Sequence, residues 1–288
     1  MLIILPKLII SLTTIPPRIA KIGPTLRDLL NQSADVHEIR LNLARNYRRF
    51  PGETLTVPDL PEGVTVHWSD QDYGPATKIF PTVHDHRGED VEILFCDDDQ
   101  PYEPKWAQRF LDARASQPNS CIVGKGYDLD QGTGGGSIHF EREHIRFPRA
   151  VKRTKGVGYR LLRAASLGLI KPYAYVKDGY VDIMEGYRGV LVKPDFFLGE
   201  AFDIPDILWT VDDPWLSGQL ERNNVPIWLM AKARQYSKTY DAHNSNRLGA
   251  YVYRDHGRIK ADAACINYFR ETYGIWQDRT DTSGTKTT

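Results

Sequence analysis

The sequence predicts an α/β protein: a Rossmann-like, mostly parallel sheet covered by helices on both faces. Two observations carry the prediction. Short apolar runs bounded by turn residues recur through the first 125 residues, and segments of helical periodicity lie between them. The first run is apolar at adjacent as well as alternate positions, the pattern of a strand buried on both faces.

Taken in order, residues 8–12 are that first strand, and Thr13-Thr-Ile-Pro-Pro-Arg18 breaks it. Ile22, Leu26, Leu29 and Leu30 then share one face of a helix over 22–30. Residues 38–43 alternate with period two and read as a second strand. Residues 63–68, entered from the proline-rich 57–61, read as a third. A short helix begins within 77–83 and ends near 84–88. Residues 91–96, Val-Glu-Ile-Leu-Phe-Cys, are the fourth strand; 104–115 are amphipathic, and 121–124 form a fifth strand after Pro118 and Asn119. On such a sheet, ligands sit at the carboxyl ends of the strands. That rule directs attention to whatever follows residues 12, 68 and 96.

The 288 residues read as a single domain over 1–280 with a polar, disordered tail at 281–288. Within it, 1–125 carry the strand–helix alternation, 126–180 a basic insertion or lid, and 181–280 an elaborated second half. Lys and Arg number 37, as do Asp and Glu, so bulk charge marks no polyanionic partner and nucleic acid is disfavoured. Cys96, Cys121 and Cys265 share no metal-site spacing and read as reduced thiols of a cytoplasmic protein. No run reaches the ~20 apolar residues that span a bilayer. The apolar N-terminus, interrupted by Pro6 and Lys7, reads as a buried strand rather than a leader.

Asp97-Asp98-Asp99 follows the fourth strand directly. Three adjacent carboxylates repel one another unless cations or donors neutralise them. Hard oxygen ligands suit Mn²⁺ or Mg²⁺, which bridge protein carboxylates to a nucleotide diphosphate. Alternate residues of an extended segment point the same way, so Asp97 and Asp99 are the expected ligands, with Asp98 aimed elsewhere. An acidic turn capping the strand is the plainer alternative. Ser11-Leu-Thr-Thr-Ile-Pro-Pro-Arg18, Asp72-Tyr-Gly-Pro-Ala-Thr-Lys78, Ile93-Leu-Phe-Cys-Asp-Asp-Asp99 and Val211-Asp-Asp-Pro-Trp-Leu-Ser217 form an ordered set over roughly residues 8 to 220. Together they resemble the landmarks of GT-A glycosyltransferases, bacterial and viral surface-glycan types that carry a D-x-D motif.

The resemblance implies a GT-A fold and a metal-dependent transfer of sugar from a nucleotide-sugar donor, UDP-linked, to a glycan or lipid-linked glycan hydroxyl, with inversion; a retaining GT-A enzyme, which would share the metal motif and pass the acceptor proton to the leaving phosphate, is the alternative. Residues 1–125 would then be the nucleotide-sugar-binding half and 181–280 the acceptor and catalytic half. It implies donor contacts at Thr13, Thr14, Arg18, Asp72, Tyr73, Lys78, Asp97 and Asp98, with Asp70 near the base or ribose. It also implies a base carboxylate at Asp213 or Asp212, and a late histidine ligand, for which His243 is better placed than His256. Asp213-Pro214 is equally a helix N-cap and first-turn pair. In Glu185-Gly-Tyr-Arg-Gly189, Tyr187 and Arg188 are candidate sugar contacts, or the segment is a plain turn. Gly132-Thr-Gly-Gly-Gly136 lacks the lysine of a phosphate loop and reads as a connector.

Between 142 and 171 stand nine Lys or Arg and a single acid, Glu143. Three readings are open: a basic amphipathic helix on anionic lipid, placing the protein peripherally at the inner face of a membrane; an ordinary solvated helix; or a lid over an anionic donor. Two rivals belong to other classes. A nucleotidyltransferase would show a glycine-rich basic loop where Thr13–Arg18 is proline-rich. A non-catalytic glycan-binding module would draw on the six Trp and fifteen Tyr.

Overall fold

In the computed structural model, residues 6–53, 55–131, 139–153, 156–166, 174–231, 239–240 and 246–277 are described. Strand β1 (Lys7–Thr13) runs into a 3₁₀ turn (Pro16–Lys21) and α1 (Gly23–Leu30). β2 (Glu38–Ala44) and β3 (Val64–Ser69) follow, then a 3₁₀ turn (Gly74–Lys78), α2 (Phe80–Asp85) and β4 (Val91–Phe95). Next come α3 (Trp106–Ser116), β5 (Cys121–Val123), β6 (Gly126–Tyr127), β7 (Val151–Lys152) and α4 (Val157–Ala165). The chain continues through β8 (Tyr175–Lys177), β9 (Gly179–Val181), β10 (Ile183–Met184) and β11 (Val190–Val192). It closes with α5 (Asp213–Arg222), β12 (Ile227–Leu229) and α6 (Arg258–Tyr273).

One eight-stranded sheet, in the order β3-β2-β1-β4-β11-β5-β12-β9, organises these elements. The β3-β2-β1-β4 half is wholly parallel, and β12 also runs parallel to β5. β11 is antiparallel to both neighbours, and β9 is antiparallel to β12 at the edge. The sheet is therefore mostly parallel, with strands from residues 7–123 and 179–229 joined in one layer.

Helices cover both faces. Ile9, Ile93, Phe95, Val123 and Val190 point to one side, against Phe80 and Val83 of α2, Trp215 and Leu220 of α5, and Ile266 and Phe269 of α6. Leu8, Ile10, Leu12, Leu41, Leu94 and Leu191 point to the other, against Leu26 and Leu29 of α1 and Phe110 of α3. Each such fully buried side chain contributes about 1.5–3 kcal/mol. This two-sided burial is why β1 and β4 read as apolar runs.

Two local departures from the sequence reading have physical causes. The segment over 77–83 is two pieces, because Pro75 and Pro81 each occupy a helix-start position, where a missing N–H costs nothing. The strands of two or three residues from β5 onward are too short to show a period, and most of them carried no signal. Gly132–Gly136, His243 and the 281–288 tail lie outside the described residues.

β1 is flanked by β2 on one side and β4 on the other, so the winding direction of the chain reverses between β1 and β4. That reversal opens a crevice beyond their carboxyl ends, where open α/β sheets bind ligands. Thr13 and Thr14 leave β1 there; Asp97 and Asp98 leave β4 there.

Candidate active site at the strand reversal

A cleft of about 360 Å³ lies over this crevice, within the size range of small-molecule sites. Its first wall is made where β1 and β4 end. Asp98 is buried, accepting from Thr14 Oγ1 at 2.5 Å and from Arg18 Nη1 at 2.8 Å. Its main chain is pinned by Thr25 Oγ1 of α1, which donates to the Asp98 carbonyl at 2.8 Å. Burial pushes the Asp98 carboxyl up to about 6, against the pull of Arg18. Asp99 accepts from Gln100 Nε2 at 2.8 Å and from Arg18 at 3.3 Å; unlike Asp97 and Asp98, it does not line the cleft.

The second wall is the start of α5, and Lys78 joins the two. Lys78 Nζ lies 2.8 Å from Asp97 Oδ1 and 2.7 Å from Asp212 Oδ2, with only 5% of its side chain exposed. Its backbone is held by Ser11, whose Oγ donates to the Lys78 carbonyl at 2.6 Å. Burial alone would lower the ammonium pKa, but Asp212 and Asp97 raise it well above the ordinary value. Lys78 is therefore a fixed cation. Arg258, the first residue of α6, reaches Asp212 and Asp213 at 3.4 Å each and Asp262 at 3.2 Å.

Asp212 and Asp213 divide unequally. Burial raises both, but Lys78 and Arg258 overcome it at Asp212 and hold that carboxyl low. Asp213 is pushed well above the ordinary range by burial and by the charge of Asp212. Asp213 Oδ1 accepts from the Gly186 N–H at 2.9 Å. Neither aspartate makes a side-chain cap to α5, although Asp212 is the N-cap residue. Asp213 and Pro214 do form the first turn of α5, one position later than the cap, and both carboxylates line the cleft.

The remaining sequence candidates fall in different places. Thr13, Thr14, Arg18, Asp72, Lys78 and Tyr187 line the cleft; Asp70, Tyr73, Arg188 and His256 do not. Asp72 braces its own loop, accepting from the N–H groups of Arg48 and Gly74 at 2.8 Å. Tyr73 packs edge-on against Phe80, its ring centroid 5.4 Å away. Asp70 pairs with Arg45 on the exposed surface. Glu185, which opens the segment of Tyr187, lines the cleft too, and Tyr47, Arg49, Trp209 and Arg258 line it without having carried any sequence signal. Each reaches the site through a fold contact remote in sequence, as when Tyr47 Oη donates to the Thr14 carbonyl at 3.0 Å.

For a divalent ion, Asp97 is the fitting group of the triplet. It lines the cleft with 33% of its side chain exposed, and its Oδ2 has no protein donor among the described residues. Both oxygens of Asp98 already accept hydrogen bonds. A separate group, Asp128, Asp130 and His144, brings its ligand atoms within 4.8 Å of one another and could bind a metal. None of the three lines the cleft, and Asp128 is also paired to Arg149. All three cysteines are free and buried. No helix among the described residues is long and apolar enough to cross a membrane.

No protein-family model matches the chain, and no curated protein does. Among solved structures, the chain is similar to the crystal structure of S. aureus TarS 1-349 in complex with UDP, at 13% identity and a TM-score of 0.39. It is also similar to the crystal structure of S. aureus TarS, at 15% identity and a TM-score of 0.40. Each match covers 81% of this chain, but only 59% and 36% of the respective TarS chains.

Proposed function

We propose that this chain is a glycosyltransferase that moves a sugar from a nucleotide diphosphate donor, UDP-linked, to a hydroxyl of a glycan or glycolipid, with inversion. One observation carries the reading. The carboxylates that follow β4 and the carboxylate pair that opens α5 meet across a single cleft at the strand reversal, with Lys78 between them.

In this reading the diphosphate lies along the β1–β4 wall, where Arg18 and Arg49 supply positive charge. A divalent cation would be held by Asp97 and would supply charge neutralisation on the departing diphosphate. Asp213 takes the acceptor proton. The acceptor oxygen forms its bond to the anomeric carbon as the bond from that carbon to the diphosphate oxygen breaks. Lys78 and Arg258 keep Asp212 ionised beside it, so one carboxylate stays charged while its partner takes up the proton. Burial and the charge of Asp212 raise the Asp213 carboxyl above the ordinary range, which makes it the stronger proton acceptor of the pair.

Isothermal titration with UDP, GDP and dTDP, each in Mn²⁺ and in EDTA, tests the donor half. Binding of one nucleotide that is lost in EDTA is expected. No binding of any nucleotide would overturn the reading and leave the Asp97–Asp99 segment a structural turn. Proton NMR of the transferred sugar then reads the anomeric outcome, and retention would remove Asp213 as base.

A further inference from the structure

We propose that the outward face of α4, together with the neighbouring 145–152 segment, is a docking surface for an anionic lipid bilayer. On α4, Val157, Leu161 and Leu162 fall on one arc at helical spacing, while Tyr159 and Arg160 fall on the other. In a helix packed on a soluble domain the apolar arc faces inward. Here it faces solvent: Val157 is 74% exposed, Leu161 66% and Leu162 60%. Tyr159, on the opposite arc, is only half-exposed and lies under the Arg153 guanidinium, 5.1 Å from its ring centroid. Of the described α4 residues only Tyr159 is partly covered, so the apolar arc stands in solvent along the helix.

The surroundings extend this surface. Ile145, Phe147 and Val151 are exposed as well, so six of the eleven exposed large apolar residues among the described ones fall within 145–162. Exposed apolar residues concentrated in one segment in this way point to an interaction surface rather than scatter. Charge selects the occupant. Arg142, Arg146 and Arg149 turn inward to Asp182, Glu221 and Asp128, which ties the segment to the body of the protein. Lys152 and Arg160 are exposed as well, and the sequence from 142 to 171 holds nine Lys or Arg against one acid, the exposed Glu143. Exposed apolar side chains in a segment with this excess of basic residues match the boundary between acyl chains and anionic headgroups. A second copy of the same basic surface would be repelled. A lid over the donor would need to reach the cleft, yet no described residue between 142 and 166 lines it.

The test is vesicle flotation of the full chain with phosphatidylcholine alone and with phosphatidylcholine mixed with phosphatidylglycerol. Wild type is expected to float with the anionic vesicles and not with the neutral ones, and to lose binding in high salt. The double variant Leu161→Glu, Leu162→Glu, whose folding is checked by circular dichroism, is expected to bind roughly tenfold more weakly or not at all. Failure of wild type to float, or equal flotation by the variant, overturns the assignment. A dimer in sedimentation equilibrium that the variant abolishes, with no flotation, would make the surface a self-association face instead. Vesicle binding needs no donor, so its failure leaves glycosyl transfer untouched, and a failed nucleotide titration leaves the membrane surface untouched.

Discussion

Asp98 shows how a single buried charge trades stability for a site. Its carboxyl titrates at about 6 in the folded chain, against an ordinary value of 3.8, because burial outweighs Arg18. Between those values the folded state binds more protons than the unfolded one, so stability falls as pH rises. The penalty is absent below pH 3.8, where both states are protonated, and complete above about pH 6. Asp262, also raised to about 6 by burial, adds to the same slope. Asp98→Asn should therefore flatten the decline in melting temperature between pH 4 and 6; a melting curve with an unchanged pH slope would contradict this. At Asp213 the expected effect is on rate. Asp213→Asn should lower kcat by about 10²–10⁴-fold while leaving nucleotide affinity within twofold. Turnover equal to wild type would exclude it as the base.

At the level of elements, the site depends on how α5 meets α6. Asp212 and Asp213 open α5, and Arg258 opens α6, so the ion pairs hold only if the two helices keep their spacing. Gly218 sets that spacing: a Cβ there would lie 2.3 Å from Cε2 of Phe269. Gly218→Ala should cost about 1–3 kcal/mol in urea unfolding through overpacking. It should also reduce kcat, because the displaced Arg258 no longer holds the aspartate pair. Unchanged stability would show that Phe269 can move aside. Gly186 has the corresponding role at the cleft itself: a Cβ there would lie 2.7 Å from Lys78 Nζ and 3.2 Å from Asp213 Oδ1. That spacing explains the glycine at 186; Gly189 is fixed instead by its φ of +96° against Trp106. Between them, Tyr187 lines the cleft, whereas Arg188 does not.

Across the whole molecule, the cleft joins the first half of the chain to the second. Thr14, Arg18, Lys78 and Asp97 come from residues before 100, and Glu185, Asp212 and Arg258 from residues after 180. A ligand that bridges the two walls binds only the folded chain. Nucleotide with Mn²⁺ at a hundred times its dissociation constant should thus stabilise the fold by about 2.7 kcal/mol and raise the melting temperature by a few degrees. EDTA should remove the increment. A shift that survives EDTA would assign nucleotide binding to Arg18 and Arg49 without the metal.

The sequence by itself determined the α/β class, the strands from Lys7 to Val123 to within a residue or two, and the polar segments at their carboxyl ends. Those features are local: a strand buried on both faces must be apolar at consecutive positions, and a proline pair must end it. The approach of Asp97 to Asp212 through Lys78 was decided only in three dimensions. So was the recruitment of Arg258, forty-five residues beyond Asp213 and without any periodic or motif signal. Tertiary structure likewise turned Asp98 rather than Asp99 onto the cleft wall, because Thr14 and Arg18 arrive from β1 to receive it. The outward face of α4 belongs to the same category. Periodicity shows that its residues segregate, but only the three-dimensional structure shows that Val157, Leu161 and Leu162 meet solvent. Contacts between segments a hundred residues apart are set by sheet order and helix packing, which no window of the sequence contains.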